Sequence, residues 1–379
     1  MKHKLAFFTS TRSDMTILEP LLNEIKKNKN FEYLLFVHGT HLNKNYGNTI
    51  RDIKKLNFKI SSKFLSVNKL DDEFGLVKSL EMTQSGVNNI FKKFKFDSVV
   101  ILGDRIERLP IISAALAYRK FIFHIHGGEI TTGALDDQVR HMITKSAHLH
   151  FTICDHYKKN VLAMSEEKFR VHNVGSLGIE RILLNNFKRV KKDKNQVILT
   201  YHPETLQKKF NWIKNFSIII KELNKFNFNV IITSPGHEKG TKKQINFIKK
   251  LIKNKKNFLF TRSLGVKGYF EKLRESLFVI GNSSSGIIEV PYFRIPTINI
   301  GLRQNGRYFH KSIIQCKNSK SSIRKSIIIA NSKFFRAKIN NMKLHFGNGG
   351  ASKKILNIIS KHFKNKNKLL NKQFQKLKR

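Results

Sequence analysis

The sequence predicts an α/β protein made of two doubly wound, parallel-sheet domains that face a cleft. Three observations carry this expectation. Short, unbroken apolar runs recur along the chain with helical segments between them, and runs without polar alternation suit strands buried on both faces. The alternation stops at a basic, apolar-poor connector over 185–195 and then begins again. Polar clusters sit at the ends of the apolar runs in both halves, where ligands bind in such sheets.

Taken in order, Leu5–Ser10 reads as the first strand, and Asp14–Lys27 as a helix with Ile17, Leu18, Leu21, Leu22 and Ile25 on one face. Tyr33–Val37 is the second strand and ends in the polar loop His38–His41. Glu73–Phe94 is a long helix, Ser98–Leu102 a buried strand broken at Gly103, and Pro110–Tyr118 a helix. Strands at Phe121–Ile125 and Leu149–Cys154 enclose a helix at Asp136–Ala147. A helix at Asp155–Met164 and a strand at Phe169–Val174 complete the first half. In the second half, strands are expected at Val197–Tyr201, Val230–Thr233, Phe258–Phe260, Leu277–Ile280 and Thr297–Ile300. Helices at Trp212–Leu223, Gln244–Lys253, Tyr269–Glu275 and Ile287–Tyr292 separate them. The expected division is 1–185, 186–355, and a basic helix or tail over 356–379 that packs back on the first domain.

Composition narrows the function. Of 379 residues, 40% are hydrophobic, which excludes fibrous and disordered classes. No apolar run reaches the ~18 residues of a membrane helix, and the N-terminus lacks a signal-peptide pattern. The expectation is a cytoplasmic protein with no membrane insertion. Cys154 and Cys316 show no metal or redox spacing. The net charge of +46 suggests an anionic partner, but its distribution does not. Asp97–Asp155 carries six Lys/Arg against seven acids, whereas Ser352–Arg379 has ten bases and no acid. The bases lack aromatic interleaving and zinc-finger spacing, so they read as a solvated lysine surface and not a nucleic-acid site.

The candidate chemistry lies at the strand ends. Ser10–Asp14 leaves strand one and opens a helix, either as an ordinary N-cap or as an anion site with Arg12 as donor. Gly103–Asp104–Arg105 follows the most apolar strand. The densest cluster is His124–Glu129 followed by Thr131–His141. On a helix, Asp136/Arg140 and Asp137/His141 are i,i+4 pairs, and Glu129 faces them from a glycine loop. Carboxylates sharing a dry site repel, which raises pKa values and makes general acids and bases. His124 and His126 read as core histidines, with a metal pair as the alternative; no third ligand is evident at defined spacing. In the second half, Tyr201–Glu204 and Ser234–Glu238 end strands. Gly281–Gly286 is a hydroxyl-rich turn into a helix bearing Glu289, a natural diphosphate cradle, and Gly301–Gln304 follows the next strand. No G-x-G-x-x-G is present, which disfavours a nicotinamide site.

Together T-R-S-D (11–14), G-D-R (103–105), H-I-H-G-G-E (124–129), D-D-Q-V-R-H (136–141), H-P-E-T (202–205), G-N-S-S-S-G (281–286) and G-L-R-Q-x-G-R (301–307) resemble the hydrolysing UDP-N-acetylglucosamine 2-epimerase family. That family includes enzymes that make N-acetylmannosamine for sialic acid and relatives serving legionaminic-type acids. The resemblance implies two Rossmann-like domains of the glycosyltransferase-B type, no cofactor, no metal, a nucleotide-sugar substrate and a homo-oligomer, dimer or tetramer. It implies Asp104, Glu129 and Asp136 as catalytic acids, with Asp137, Arg140 and His141 beside them. Arg12, Arg105, His202, Ser283, Ser284, Ser285, Gly286, Glu289 and Arg303 are implied as nucleotide contacts. Three positions depart from the usual pattern: Ser13 within T-R-S-D, Ile17 where a lysine is common, and S-P-G-H-E at 234–238. The implied chemistry is elimination of the nucleoside diphosphate to a 2-acetamidoglycal, followed by hydration. A non-hydrolysing epimerase, a glycosyltransferase of the same fold and a non-enzymatic anion-binding protein are the competing readings.

Overall fold

In the computed structural model the described residues are 2–43, 49–68, 70, 72–132, 135–185, 195–204, 210–235 and 241–374. Gly133, Ala134, Thr205 and Gly236–Glu238 of the motifs, and Lys191–Lys194 of the connector, lie outside them. The chain divides into two units. The first comprises 1–129, 136–184 and 346–379, and the second 130–135 and 185–345.

The first unit runs β1 (His3–Thr9), α1 (Arg12–Lys27), β2 (Phe31–Val37), α2 (Ile50–Lys55), β3 (Ser62–Lys63), α3 (Glu73–Lys93), β4 (Ser98–Leu102), α4 (Leu109–Ala117), β5 (Phe121–Ile125), α5 (Asp136–Ser146), β6 (Leu149–Thr152), α6 (Asp155–Ala163), β7 (Val171–Asn173) and α7 (Leu177–Leu184). Its strands pair in parallel in the order β3-β2-β1-β4-β5-β6-β7, so the order reverses between β1 and β4. Leu5 and Phe7 join one core with Leu18, Leu21 and Leu22 of α1. The alternate residues Ala6 and Phe8 join another with Val87, Ile90 and Phe91 of α3. The sheet is therefore buried on both faces, as its unbroken apolar runs require. The strand expected at Phe169–Val174 shortens to β7 because Lys168–Arg170 forms a 3-10 turn with Arg170 turned inward.

The second unit runs β8 (Gln196–Thr200), α8 (Trp212–Lys225), β9 (Asn229–Thr233), α9 (Thr241–Ile252), β10 (Phe258–Thr261), α10 (Gly265–Glu275), β11 (Phe278–Gly281), α11 (Ser284–Ile288), β12 (Thr297–Ile300), β13 (Ile313–Cys316), α12 (Lys320–Asn331) and α13 (Lys333–Asn340). The parallel order β10-β9-β8-β11-β12-β13 reverses between β8 and β11. The helix expected at Ile287–Tyr292 begins three residues earlier, at Ser284, and breaks into a 3-10 turn at Val290–Phe293. Pro291 has no N–H with which to extend the α-helical ladder. Strand β13 was not apparent in the sequence.

Two boundaries differ from the expected ones. The chain has rejoined the first unit by Phe346, ahead of the boundary placed after 355. From there it forms α14 (Ala351–Phe363) and α15 (Lys366–Leu370). Ile355, Leu356 and Ile359 of α14 complete the core beside α1, each contributing about 1.5–3 kcal/mol. Gly350 supplies no capping side chain. Glu180 of α7 accepts instead from Ser352 N at 2.8 Å and Ser352 Oγ at 2.6 Å. Gly347, at φ +92, needs to be glycine: a Cβ there would lie 2.9 Å from Gly175 Cα. The short segment 130–135 belongs to the second unit, where Thr132 N donates to Asn305 O at 3.3 Å. No helix among the described residues is long and apolar enough to cross a membrane.

Candidate active site

At the end of β1, Thr11 caps α1 and Asp14 completes a capping box. Asp14 Oδ2 also accepts from Ser10 N at 2.9 Å, Ser10 Oγ at 3.1 Å and Arg108 Nη2 at 2.6 Å. Burial works against the Asp14 carboxylate, but the Arg108 guanidinium outweighs it and holds the pKa well below the ordinary range. Asp14 is thus an internal brace of T-R-S-D. Arg12, the first residue of α1, is exposed beside it, as is Ser13.

The acids converge on Arg140, which is 1% exposed. Its Nη2 pairs with Asp104 at the exit of β4. Its Nη1 donates to Asp137 Oδ1 at 2.6 Å and to the main-chain oxygen of Glu129 at 2.5 Å. One guanidinium therefore joins the ends of β4 and β5 to the first turn of α5. Burial opposes the charge of Arg140, and Asp104, Glu129 and Asp137 more than offset this, raising its pKa. The repulsion expected among the carboxylates is met by this cation. Arg140 makes the i,i+3 pair with Asp137, a pairing outside the i,i+4 expectation. Asp136 is exposed, within electrostatic reach of Arg105. Arg105 itself pairs with Glu107 at 2.8 Å, and His141 is also exposed.

The two histidines of H-I-H-G-G-E differ. His124 is fully buried, with Nε2 2.9 Å from Gly103 O. Burial, and then His150, push its pKa down to about 3, so it is a neutral structural ring. His126 has a left-handed backbone, φ +69. Its Nδ1 lies 2.7 Å from Glu129 Oε1, while its buried Nε2 has no hydrogen-bond partner among the described residues. Among those residues no group of three His, Cys, Asp or Glu side chains is placed to share a metal ion.

The second unit builds its site around Asn282, which the sequence reading quoted within G-N-S-S-S-G but did not single out. Asn282 Oδ1 accepts from His202 N at 2.6 Å, and Nδ2 donates to His202 O at 2.9 Å. Its own carbonyl accepts from Arg303 Nη1 at 3.1 Å and Gln304 Nε2 at 2.9 Å. Ends of β8, β11 and β12 are joined at the point where the strand order reverses. Glu204, also passed over, is buried and accepts from Leu302 N at 3.2 Å, supporting the turn that presents Arg303. A Cβ on Gly301 would lie 2.0 Å from Glu204 Oε1, which explains that glycine.

Some expected contacts change character. Burial, and then Arg303, push the His202 pKa down to about 3. Its Nδ1 faces Pro235 O and so carries the ring proton, leaving Nε2 an acceptor. The ring offers a substrate a lone pair. Gly286 N donates to Ser283 O at 3.1 Å, and a Cβ there would lie 2.8 Å from Thr297 Cγ2. This glycine is required by packing. Ser283 precedes α11, Ser284 opens it, and Ser285 Oγ lies 2.9 Å from Tyr269 Oη. Glu289 ends the same helix.

A family profile described as UDP-N-acetylglucosamine 2-epimerase matches residues 23–360. The chain is 36% identical over 324 residues to a Campylobacter jejuni protein named GDP/UDP-N,N'-diacetylbacillosamine 2-epimerase (hydrolyzing), covering 83% of this chain and 84% of that one. It is 30% identical over 379 residues to the Escherichia coli polysialic acid biosynthesis protein P7, covering 96% and 95%. A crystal structure of UDP-GlcNAc 2-epimerase from Neisseria meningitidis shares the fold, with a TM-score of 0.80 at 18% identity, covering 95% of this chain and 100% of that one. The profile covers most of the chain, including the motifs from G-D-R (103–105) to G-L-R-Q-x-G-R (301–307), so the chain belongs to the UDP-N-acetylglucosamine 2-epimerase family.

Proposed function

We propose that the protein is a hydrolysing nucleotide-sugar 2-epimerase. It converts a UDP- or GDP-linked 2-acetamido sugar to the free C2 epimer and a nucleoside diphosphate. Candidate substrates are UDP-N-acetylglucosamine and the N,N'-diacetylbacillosamine nucleotides named for the Campylobacter relative. One observation carries the reading: the carboxylates of Asp104 and Asp137 and the main-chain oxygen of Glu129 converge on Arg140. A glycosyltransferase has no need of that arrangement, whereas proton removal and return at C2 require positioned acid–base groups.

In this reading the first unit handles C2 and the second holds the nucleotide. Loss of diphosphate from C1 builds negative charge that Arg303, Arg12 and the first-turn amides of α11 stabilise. Water then adds at C1. Asp104, Glu129, Asp136 and Asp137 form the acid–base set, with Arg140 as their organiser and Arg105 and His141 at its edge. The assembly we infer is a cytoplasmic homo-oligomer, which sedimentation tests.

A non-hydrolysing epimerase is the second reading. A Neisseria meningitidis relative, 28% identical over 321 residues, is named UDP-N-acetylglucosamine 2-epimerase without the hydrolysing qualifier. Product identification separates the two. The purified protein is incubated with UDP- and GDP-linked acetamido sugars, with EDTA present and no nicotinamide. Free epimeric sugar is the expected product. An epimer still attached to nucleotide establishes the second reading.

A further inference from the structure

His126 combines two unfavourable features, of which its neighbour His124 shares only the second, a buried ring nitrogen without a partner among the described residues. It holds a left-handed backbone, φ +69, that a residue with a Cβ rarely adopts. It also buries Nε2 with no hydrogen-bond partner among the described residues, although the whole residue is only 8% exposed. Either feature alone is destabilising. Together they mark a side chain aimed by its backbone and left with an open lone pair, and such features gather at reacting groups.

The surrounding groups define what that lone pair can do. Nδ1 lies 2.7 Å from Glu129 Oε1, so in the neutral ring the carboxylate holds the proton on Nδ1 and the lone pair is on Nε2. Glu129 is fixed in turn, because its main-chain oxygen accepts from Arg140 at 2.5 Å. The preceding turn is equally constrained: Asn160 Nδ2 donates to Gly128 O at 2.8 Å, and His126 N donates to Phe151 O at 3.0 Å. Asp104 and Asp137 are both engaged by Arg140, whereas Nε2 of His126 has no hydrogen-bond partner among the described residues.

We propose that His126 Nε2 is the base that takes the C2 proton, with Glu129 as the positioning residue behind it. The inference rests on the 2-epimerase reading and deepens it. As the C1–O bond to diphosphate breaks, positive charge at C1 acidifies the C2–H. Nε2 accepts that proton, the C2–H electron pair forms the C1=C2 double bond, and the diphosphate oxygen keeps the C1–O pair. The imidazolium is stabilised through Nδ1–H by the Glu129 carboxylate, as in an Asp–His pair. It returns its proton to solvent after the product leaves. A separate acid protonates C2 from the other face, water adds its oxygen at C1, and the proton that this water loses restores the acid.

The test uses substrate deuterated at C2, with turnover, loss of label to solvent, melting temperature and nucleoside-diphosphate affinity as readouts. Glycine adopts this backbone without strain. His126→Gly is therefore expected to melt at or above the wild-type temperature and to bind diphosphate normally. Its turnover and label loss should fall about 10²–10⁴-fold, with partial recovery in added imidazole. His126→Asn, also tolerated at positive φ, should show the same loss without a drop in melting temperature. Glu129→Gln should lower kcat with little change in KM. Either His126 variant turning over within threefold of wild type overturns the proposal. So does a loss of turnover that only tracks a loss of stability. Active wild type with active variants removes His126 alone. Wild type that releases neither free sugar nor C2 epimer removes the epimerase reading and this inference with it.

Discussion

Arg170 Nη1 donates to the main-chain oxygen of Leu369 at 2.7 Å, across 199 residues of sequence. The same fully buried guanidinium donates to Asn371 O at 2.8 Å and to His148 O at 3.2 Å. Lys372, a few residues on, donates to Thr144 O, Lys145 O and Ala147 O at 2.7–3.0 Å, where α5 ends. The tail is thereby tied to the last turn of the helix that carries Asp137 and Arg140.

This tie predicts that the tail contributes stability despite its lysine-rich composition. Arg170→Met leaves several buried carbonyls without donors, at about 1–3 kcal/mol each. Urea unfolding should show a loss of at least about 3 kcal/mol. Deleting residues from Lys366 onward should produce a similar loss. A midpoint unchanged in both variants would mean that the tail is loose in solution.

Arg140→Lys tests the convergence of the acids. An ammonium cannot span Asp104, Asp137 and the Glu129 carbonyl at once. Misplacement of about 1 Å is worth roughly 10²-fold in rate, so turnover should fall by that order while diphosphate affinity stays. Equal turnover in Lys and Arg proteins would reduce Arg140 to a counter-charge.

Asn282→Ala tests the second unit. It removes both side-chain bonds to His202 and loosens the turn that Arg303 and Gln304 grip. Calorimetry should find nucleoside-diphosphate affinity weaker by about 1–3 kcal/mol, and Arg303→Ala should be at least as weak. Unchanged affinity in both proteins would exclude this cradle from nucleotide binding.

The buried histidines predict acid sensitivity. Burial, with nearby cations, holds His38 and His124 down to about 3 and His41 and His148 to about 4. Each is neutral in the fold, and the unfolded chain protonates first, near pH 6.5. Stability is therefore complete above about pH 6.5 and is lost as pH falls toward the folded values, at about 1.4 kcal/mol per pH unit for each ring. Unfolding at pH 5 should take up several protons, measurable from the pH dependence of the urea midpoint. A flat profile from pH 7 to 5 would show that these rings are solvated.

Strand and helix alternation, the two sheets and the motif placement at strand ends were legible in the sequence, because an unbroken apolar run has few places to go except a strand covered on both faces. The residue types of the site were legible too, since acids, an arginine and glycines at strand exits have little structural reason to gather. Partnership was not. Asp14 and Asp137 look alike in sequence, yet one braces a helix start through Arg108 and the other faces Arg140. His124 and His126 stand two residues apart, yet one turns its ring to the Gly103 carbonyl and the other, on a left-handed backbone, to the Glu129 carboxylate. Asn282, Glu204 and Arg170 act through atoms 80 to 201 residues away. Periodicity reports which face of an element is buried. Hydrogen-bond partners across such distances are decided only when the sheets close and buried polar groups must be matched.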